Sequence, residues 1–591
     1  MDKLLPDFAP VPRLPGVVRA LKFRVLTVFV FTVVVFITIA GCNPVAPSLP
    51  GDATEARFAR TPAPVRTPKG SADPPSSTVA GVFTYHNNLA RTGLNPNETI
   101  LTPANVNPRS FGKLFTNPVD GQVYAQPLYV PGVAVPGSGW HNIVYVATQN
   151  NSVYAFDADE AGLPLWRASL LEGGTPVPST DFRCDQIEPQ VGITSTPVID
   201  PGTGTLYVVA MVKHDSPSGP SYAHRLHGLD LATGAEKFGG PVSIAGSVPG
   251  IGEGQVDGTV AFDPFPHLNR PGLALANGVV YIAFGSHCDM NWFHGWVFAY
   301  NAGTSQPSDR PEGGRTTKLS LRAIYNTTAN GYWGSIWQAG AAPAIDAQGN
   351  IFVVTGNGTF QTTDYSNSFV KLSLRGRSLR AVDHFTPFDQ KILDEQDIDL
   401  GASGPILLPD QPGPHPHLVV GTGKSGTIYL VDRNRMGGFR AQGNDRQIVQ
   451  VIRGAIAGNY ATPAYWNGYV YFGSIYDSLK AFSLANGRLS ATAVSRSAET
   501  FSYPGTSPSI SADGARSAIV WALQNDEHHR DGPTVLHAYD ATDLSRELYN
   551  SRTAGARDVA GPAVKFTSPT IANGKVYLGT KNSVDVYGLL E

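Results

Sequence analysis

The residue types best suited to chemistry lie close together in the stretch SHCDMNWFHGW, residues 286–296. It holds two histidines, an aspartate, a cysteine and two tryptophans within eleven positions. Imidazole and carboxylate groups bind Zn, Mn or Fe, so His287, Asp289 and His294 form one conceivable ligand set. Their spacing matches no helix-borne metal motif, and the alternative is a solvated loop with one or two buried, hydrogen-bonded histidines.

The cysteine of this stretch is one of only three in the chain: Cys42, Cys184 and Cys288. A nucleophilic Cys288 needs a base beside it, but neighbouring residues that leave a strand point to opposite sides, so His287 is poorly aimed. A disulfide between Cys184 and Cys288 would join two long loops and contribute about 2–4 kcal/mol. We predict the disulfide, with two separate buried thiols as the alternative.

The first 41 residues have the pattern of an export signal. Basic residues precede the uncharged run VLTVFVFTVVVFITIA, whose sixteen residues are short for a membrane span of about 20. The run ends in IAGC, which resembles the lipobox of bacterial lipoproteins, where the cysteine, here Cys42, becomes lipidated. An uncleaved anchor helix is the alternative. Both interpretations predict an extracytoplasmic, membrane-anchored protein, periplasmic or at the cell surface.

Composition divides the rest of the chain into a tether and a folded body. Residues 42–81 are rich in Pro, Ala and Ser and poor in aromatic residues, which predicts a disordered tether before a body at 82–591. Charged residues are only 15% of the chain, whereas Gly (63) and Pro (47) are abundant, as is typical of all-β proteins with many turns. The net charge of −3 gives no electrostatic reason to expect a nucleic-acid partner.

The body repeats one pattern eight times. A proline, preceded in most copies by a small residue, opens an apolar run, and these prolines, from Pro127 to Pro569, lie 45 to 74 residues apart. Further short runs of β-branched and aromatic residues follow each one, which predicts four-stranded units. The pattern is typical of an all-β, eight-bladed β-propeller. The unclaimed run FGKLFTNPV, residues 111–119, is predicted to complete the last blade and close the ring; two separate β domains are the alternative.

Several stretches of the body resemble a known family, the pyrroloquinoline quinone (PQQ) propellers. Its repeat A-x-D-x-x-T-G-x-x-x-W is approached by HGLDLATGAEKF (227–238), YAFDADEAGLPLW (154–166) and, more loosely, HAYDATDLSREL (537–548). The opening YHNNLARTGLN (85–95) is also similar to the first segment of such proteins. The resemblance implies that Trp166, and Phe238 in place of tryptophan, tie adjacent blades together and bind no cofactor.

The resemblance implies three classes of function. Some relatives are dehydrogenases that hold PQQ and calcium at the channel mouth, and the alcohol dehydrogenases among them often carry a disulfide between adjacent cysteines, which this chain lacks. Others are lipoprotein scaffolds of the outer-membrane barrel-assembly machinery, and a surface lipoprotein that binds carbohydrate or protein is the third class. We predict a binding or scaffold protein, with a PQQ-dependent, Ca-assisted dehydrogenase of alcohols or sugars as the alternative.

Loop lengths place the expected site on one face of the ring. Four of the predicted loops between second and third strands are long, and long loops are often functional. They cover residues 213–224, 285–295, 356–368 and 524–533. We expect a small ligand or a protein partner at this channel mouth, near six residues that could contact a cofactor: His287, Asp289, Trp292, Lys424, Asp526 and His528. His267 would join them, and a calcium site would use Asp289, Asp526 and Glu527.

Overall fold

The computed structural model describes residues 70–71, 79–303 and 318–591. The predicted export signal at 1–41, Cys42 and most of the predicted tether lie outside the described residues. Within the described ranges, none of the helices has the length and apolar character that a membrane crossing requires. The body is described from residue 82 to residue 591 except at 304–317.

The body is an eight-bladed β-propeller of four-stranded antiparallel blades, which confirms the predicted fold class. Blades 1 and 2 contain Leu128–Val135, Gly139–Ala147, Ser152–Asp157 and Trp166–Ser169, then Val198–Asp200, Thr205–His214, Ser221–Asp230 and Val242–Ser243. Blades 3 and 4 contain Ala274–Ala276, Val279–Ser286, Trp296–Asn301 and Ser320–Asn326, then Ala344–Ile345, Ile351–Val354, Phe369–Arg375 and Ser378–Thr386.

The remaining blades follow the same order from hub to rim. Blades 5 and 6 contain Ile406–Leu407, Leu418–Gly421, Ile428–Asp432 and Gln450–Ile452, then Ala464–Trp466, Tyr469–Phe472, Asp477–Ala485 and Ser495–Phe501. Blades 7 and 8 contain Ser509–Asp513, Arg516–Gln524, Val535–Asp540 and Asp543–Asn550, then Thr570–Ala572, Lys575–Gly579, Ser583–Leu589 and Phe111–Pro118. The outer strand of blade 8, Phe111–Pro118, comes from the N-terminal part of the body and pairs antiparallel with Ser583–Leu589.

Short elements decorate the ring. The additional strands are Leu94–Asn95, Val177–Pro178, Gln190–Val191, Ser247–Pro249, Thr259–Ala261, His267–Leu268, Gly438–Phe439 and Arg488–Leu489. The helices are Ser179–Phe182 and Gln390–Glu395, with 3₁₀ turns at Gln338–Gly340, Leu400–Ala402, His528–Arg530 and Gly555–Asp558. These elements lie in the connections, where they shape the loops around the hub.

Adjacent blades are joined where the repeat motif lies. The indole Nε1 of Trp166 in blade 1 donates a hydrogen bond of 2.9 Å to the carbonyl of Leu231 in blade 2. The same ring packs so closely on Gly234 that a Cβ there would lie 2.5 Å from it, which requires glycine. Phe238 packs in the same way on Gly303, which follows the third strand of blade 3. The motif therefore supplies both the ring and the glycine that receives it.

The N-terminal residues 82–96, here called the hub segment, cross the hub of the ring. Backbone N–H groups in the innermost strands of six blades donate to its carbonyls; these donors are Tyr129, Ile199, Ile345, Leu407, Tyr465 and Ile510. Arg91 of this segment is fully buried and donates to the carbonyls of Pro343 and Tyr85. The hub segment thus satisfies edge groups that the innermost strands would otherwise leave unpaired.

One predicted loop is shorter than expected. The strands Thr205–His214 and Ser221–Asp230 stay paired as far as His214 opposite Ser221, so the loop is residues 215–220 and not 213–224. The prediction was wrong at both ends because Lys213 and Tyr222 pair across the hairpin, although their neighbours are polar. The six-residue connection includes the turn-forming residues Pro217, Gly219 and Pro220.

Candidate functional site

A cavity of about 460 Å³ lies at the centre of the ring. Segments that lead into the innermost strand of every blade contribute to its wall, and one residue from each is Tyr124, Val191, Arg270, Trp337, Asp399, Tyr460, Tyr503 and Phe566. Because these segments converge on the ring axis, the cavity is the channel mouth of the propeller. Its size falls in the range of about 300–1,000 Å³ that is usual for small-molecule sites.

Four aromatic rings form one side of the cavity. The ring centroids of Trp337 and Tyr460 are 6.0 Å apart, those of Tyr460 and Tyr503 5.5 Å, and those of Tyr503 and Phe566 5.8 Å. Each ring comes from the connection before a different blade, so the ring closure of the propeller brings them together. Such a wall offers apolar area and flat faces to a planar ligand.

Arg270 is the buried cation of the cavity, with 5% of its surface exposed. Its Nη1 donates to the carbonyl of Thr194 at 2.8 Å and its Nη2 to that of Phe566 at 3.3 Å. The guanidinium carbon lies 5.6 Å from the ring centroid of Tyr124 and 5.8 Å from that of Phe566. Burial lowers the pKa of Arg270 to about 10. Within the described ranges, no carboxylate forms an ion pair with it.

Lys565 lies beside Arg270 and is half-buried. Its Nζ donates to Oε1 of Gln186 at 3.1 Å and lies 5.8 Å from the ring centroid of Phe566. Burial, and then the positive charge of Arg270, lower the pKa of Lys565 to about 8, against the weaker effects of Asp185 and Glu188. Two cations therefore lie side by side on this wall.

Lys424 lines the same cavity but has opposite surroundings. Its Nζ is 2.7 Å from Oδ2 of Asp399 and 2.9 Å from Oδ1 of Asp397. Burial opposes its charge, but the two carboxylates outweigh burial and raise the pKa of Lys424 above its ordinary value. Asp399 also accepts a hydrogen bond of 2.8 Å from the backbone N–H of Asn357. The ammonium of Lys424 therefore already has two carboxylate partners within the cavity wall.

Three of the six residues predicted to contact a cofactor line the cavity: His287, Asp289 and Lys424. The predicted pair Cys184 and Cys288 is joined as a disulfide in the structure, with Cα atoms 6.1 Å apart, and both residues line the cavity. The ring of His287 stacks on Phe182 at 3.9 Å between centroids, and burial lowers the pKa of His287 well below its ordinary value. Its Nε2 is buried and has no hydrogen-bond partner among the described residues.

The other three predicted residues lie outside the cavity wall. Trp292 is 66% exposed and packs on Gly254, because its loop turns outward between the disulfide and the next strand. Asp526 accepts a hydrogen bond from Gln524, and His528 is bonded to the carbonyl of Asn525, so local contacts in a short 3₁₀ turn hold both. The ring centroid of His528 lies 5.9 Å from that of Tyr503, a residue of the cavity wall.

The conceivable metal sets are not assembled in the structure. In the part of the chain that the structure describes, no three His, Cys, Asp or Glu side chains are placed to hold a metal ion. His294 lies apart from His287 and Asp289, since its ring is bonded to Thr328 and to the carbonyl of Glu253. His267 is buried and accepts hydrogen bonds from Trp296 Nε1 and the N–H of His294.

The sequence analysis missed the two unpaired cations and the aromatic wall. A signal for some of them was present, because four cavity residues precede the repeated proline by three positions; these are Tyr124, Leu268, Tyr460 and Phe566. Arg270 and Lys565 also flank this motif. Taken by itself, the motif predicts only the innermost strand of each blade.

The chain matches no protein-family model and no curated protein sequence. Among solved structures it is similar to the quinohemoprotein alcohol dehydrogenase from Comamonas testosteroni, with a TM-score of 0.54 and 14% identity over 87% of this chain and 81% of that chain. The quinohemoprotein alcohol dehydrogenase ADHIIG from Pseudomonas putida HK5 gives 0.53 and 14% over 86% and 80%. A europium-containing methanol dehydrogenase gives 0.54 and 12% over 86% and 98%.

These similarities define the class of protein by its fold. The chain is an eight-bladed propeller with the fold of these dehydrogenases, and the predicted resemblance is confirmed at the level of the fold. At 12–14% identity the similarity extends to the fold alone.

Proposed function

We propose that this protein is an extracytoplasmic binding protein, anchored through a lipid on Cys42, whose central cavity takes a small, flat, anionic ligand. The main evidence is the pair Arg270 and Lys565. Both residues face one cavity, and neither has a carboxylate partner among the described residues. Burying a charge is costly unless an opposite charge or strong hydrogen bonds compensate it. A carboxylate on the ligand would supply that compensation.

The aromatic wall restricts the shape of this ligand. Trp337, Tyr460, Tyr503 and Phe566 present their rings beside the two cations, so a flat ring system with a carboxylate could stack and pair at once. The cavity admits a small molecule and not a folded partner. We therefore favour a ligand-binding protein over a scaffold.

A PQQ-dependent oxidoreductase is the second candidate. PQQ is a flat quinone with three carboxylates, and the cations, rings and disulfide of the cavity suit such a molecule. The calcium ion of that class does not fit these residues. Asp397 and Asp399 of the wall already share the ammonium of Lys424, and the described residues bring no three acidic or histidine side chains together to hold an ion.

The test is a titration of the purified body with PQQ and with naphthalene-2,6-dicarboxylate, each with and without Ca²⁺, followed by tryptophan fluorescence and calorimetry. We expect saturable binding of both dicarboxylic probes, no binding of neutral naphthalene, and no dependence on Ca²⁺. Dye reduction with alcohols or sugars in the presence of PQQ would favour the oxidoreductase. If neither anion binds, the proposal is wrong.

The anchor is tested separately in the full chain. A Cys42→Ser variant should lose incorporation of labelled palmitate in a bacterial host and should leave the detergent-soluble membrane fraction. Cys184→Ser is the matched control, because it alters a cysteine of the body and should keep the label. Equal labelling of wild type and Cys42→Ser would contradict lipidation at this position.

A further inference from the structure

We infer that Lys565 forms a reversible covalent bond with its ligand, by condensing its amine with a carbonyl carbon while Arg270 holds the ligand's carboxylate. The ligand class is thereby narrowed to oxo acids, compounds that carry an aldehyde or ketone together with a carboxylate. The inference rests on the proposed function, since it concerns the same cavity.

The geometry places an amine and a carboxylate-binding group on one aromatic ring. The Nζ of Lys565 and the guanidinium carbon of Arg270 each lie 5.8 Å from the ring centroid of Phe566. All three residues line one cavity, so we expect a small ligand there to reach both cations. Arg270 keeps its place because two backbone carbonyls hold its guanidinium, whereas the ammonium of Lys565 donates to one group of the described chain, the amide oxygen of Gln186.

Lys565 also has the electrostatic surroundings that a nucleophilic lysine needs. An amine attacks carbonyl groups only in its neutral form, and burial or a neighbouring cation favours that form. Burial and Arg270 lower the pKa of Lys565 to about 8, although Asp185 and Glu188 act in the opposite sense. A substantial share of its side chains is therefore neutral at mildly alkaline pH.

The reaction balances without any oxidant or reductant. The amine nitrogen forms a bond to the carbonyl carbon, giving a carbinolamine, and the former carbonyl oxygen leaves as water. The two amine hydrogens of neutral Lys565 end on that water, so one amine and one carbonyl give one imine and one water. Hydrolysis reverses the step, and the ligand is released unchanged.

The experiment is reductive trapping of the folded body with 4-carboxybenzaldehyde and sodium cyanoborohydride at about pH 8. Cyanoborohydride donates hydride to the iminium carbon and fixes the bond as a secondary amine, which intact mass and peptide mapping detect. We expect rapid labelling of Lys565, at least tenfold slower labelling by benzaldehyde, which lacks the carboxylate, and protection by naphthalene-2,6-dicarboxylate. Lys424 is the control within the same cavity and should stay unlabelled.

Two matched variants complete the test. Lys565→Arg keeps the positive charge and removes the nucleophilic amine, so the fast labelling should disappear while the melting temperature is kept. Lys581→Arg changes a lysine at the surface, paired with Asp531, and should leave the fast labelling intact. Fast labelling that persists in Lys565→Arg, or that is no faster than at surface lysines, would overturn the inference.

The outcome separates this inference from the proposed function. If naphthalene-2,6-dicarboxylate binds but 4-carboxybenzaldehyde gives no selective adduct, the covalent step is wrong and anion binding stands. If neither the titration nor the trapping gives a signal, both are wrong.

Discussion

Two lysines of one cavity have opposite surroundings. Lys424 lies between the carboxylates of Asp397 and Asp399, which raise its pKa. Lys565 lies next to Arg270 and forms no ion pair with a carboxylate of the described residues, and burial and Arg270 lower its pKa to about 8. The residue type and the cavity are the same, so the difference is in the charges that each connection brings to the hub.

The comparison indicates on which side of the cavity a ligand would balance the charges of the protein. On the Lys424 side, positive and negative groups already satisfy each other, and a ligand gains little by displacing one of them. On the Lys565 side, two cations share a partly dry space, and an anion would relieve their repulsion. Charge balance, more than the presence of a lysine, thus marks the binding wall.

The largest expected effect is on affinity. Arg270→Gln should weaken binding of naphthalene-2,6-dicarboxylate about 30-fold, because a charge-assisted hydrogen bond contributes about 2 kcal/mol. The double variant Lys424→Gln/Asp399→Asn, which removes one charge of each sign, should change affinity less than about threefold. Calorimetric titration measures both. Similar losses of affinity in the two variants would show that the Arg270 side and the Lys424 side of the cavity contribute alike to binding.

The second effect is on the free energy of unfolding, and its sign should differ between substitutions of Lys424 and of Lys565. Lys424→Gln leaves Asp399, whose side chain is 13% exposed, without its partner and should lower the free energy of unfolding by about 2 kcal/mol. Lys565→Gln removes a cation that repels Arg270 and should leave the stability unchanged or raise it. Urea denaturation at about pH 7 gives both values. A marked loss in Lys565→Gln would contradict our account.

The pH dependence of stability should follow Lys565. Its pKa falls from 10.5 to about 8 on folding, so the unfolded chain binds more protons between these values. The resulting destabilisation is present in full below about pH 8 and is lost as the pH rises toward 10.5. Wild type should therefore gain stability relative to Lys565→Gln over this range, as measured by urea midpoints. A constant difference across it would show that Lys565 titrates normally.

The smallest effect concerns calcium. Lys424→Ala removes the ammonium from between Asp397 and Asp399 and leaves two carboxylates free for a divalent cation. At about 10 mM Ca²⁺ the variant should melt roughly 1–2 °C higher than without it, as expected of a weak site with few ligands. The wild type and Lys424→Arg should show no such shift. Equal shifts of the melting temperature in all three proteins would show that Ca²⁺ binds at a site other than Asp397 and Asp399.

The fold was predictable because the types and order of the side chains identify its repeat. The recurring proline, the β-branched runs and the docking pair Trp166 and Gly234 all lie within single blades or between neighbours. The hub segment was not predictable in the same way. It binds six blades through its own carbonyl groups, which every residue type carries, so no pattern of side chains marks those contacts.

The site was predictable only where a long loop carried it. His287 and Asp289 were found because their loop is long and polar, and both line the cavity. Asp526 and His528 were predicted by the same reasoning, but local hydrogen bonds hold them outside it. Arg270 and Lys565 sit in connections between blades, whereas the loop-length argument considered only loops between second and third strands, and only the circular arrangement of the blades brings the two residues to one cavity.

The hub segment also affects the order in which parts of the molecule can fold. Residues 82–96 and the outer strand Phe111–Pro118 leave the ribosome early. They nevertheless form hydrogen bonds with residues much later in the chain, such as Ile510 and the strand Ser583–Leu589. Contacts so distant along the chain form slowly, since a long loop must close first. The nascent protein therefore carries an unpaired N-terminal edge until translation is nearly finished, and a chaperone that shields extended segments would act there.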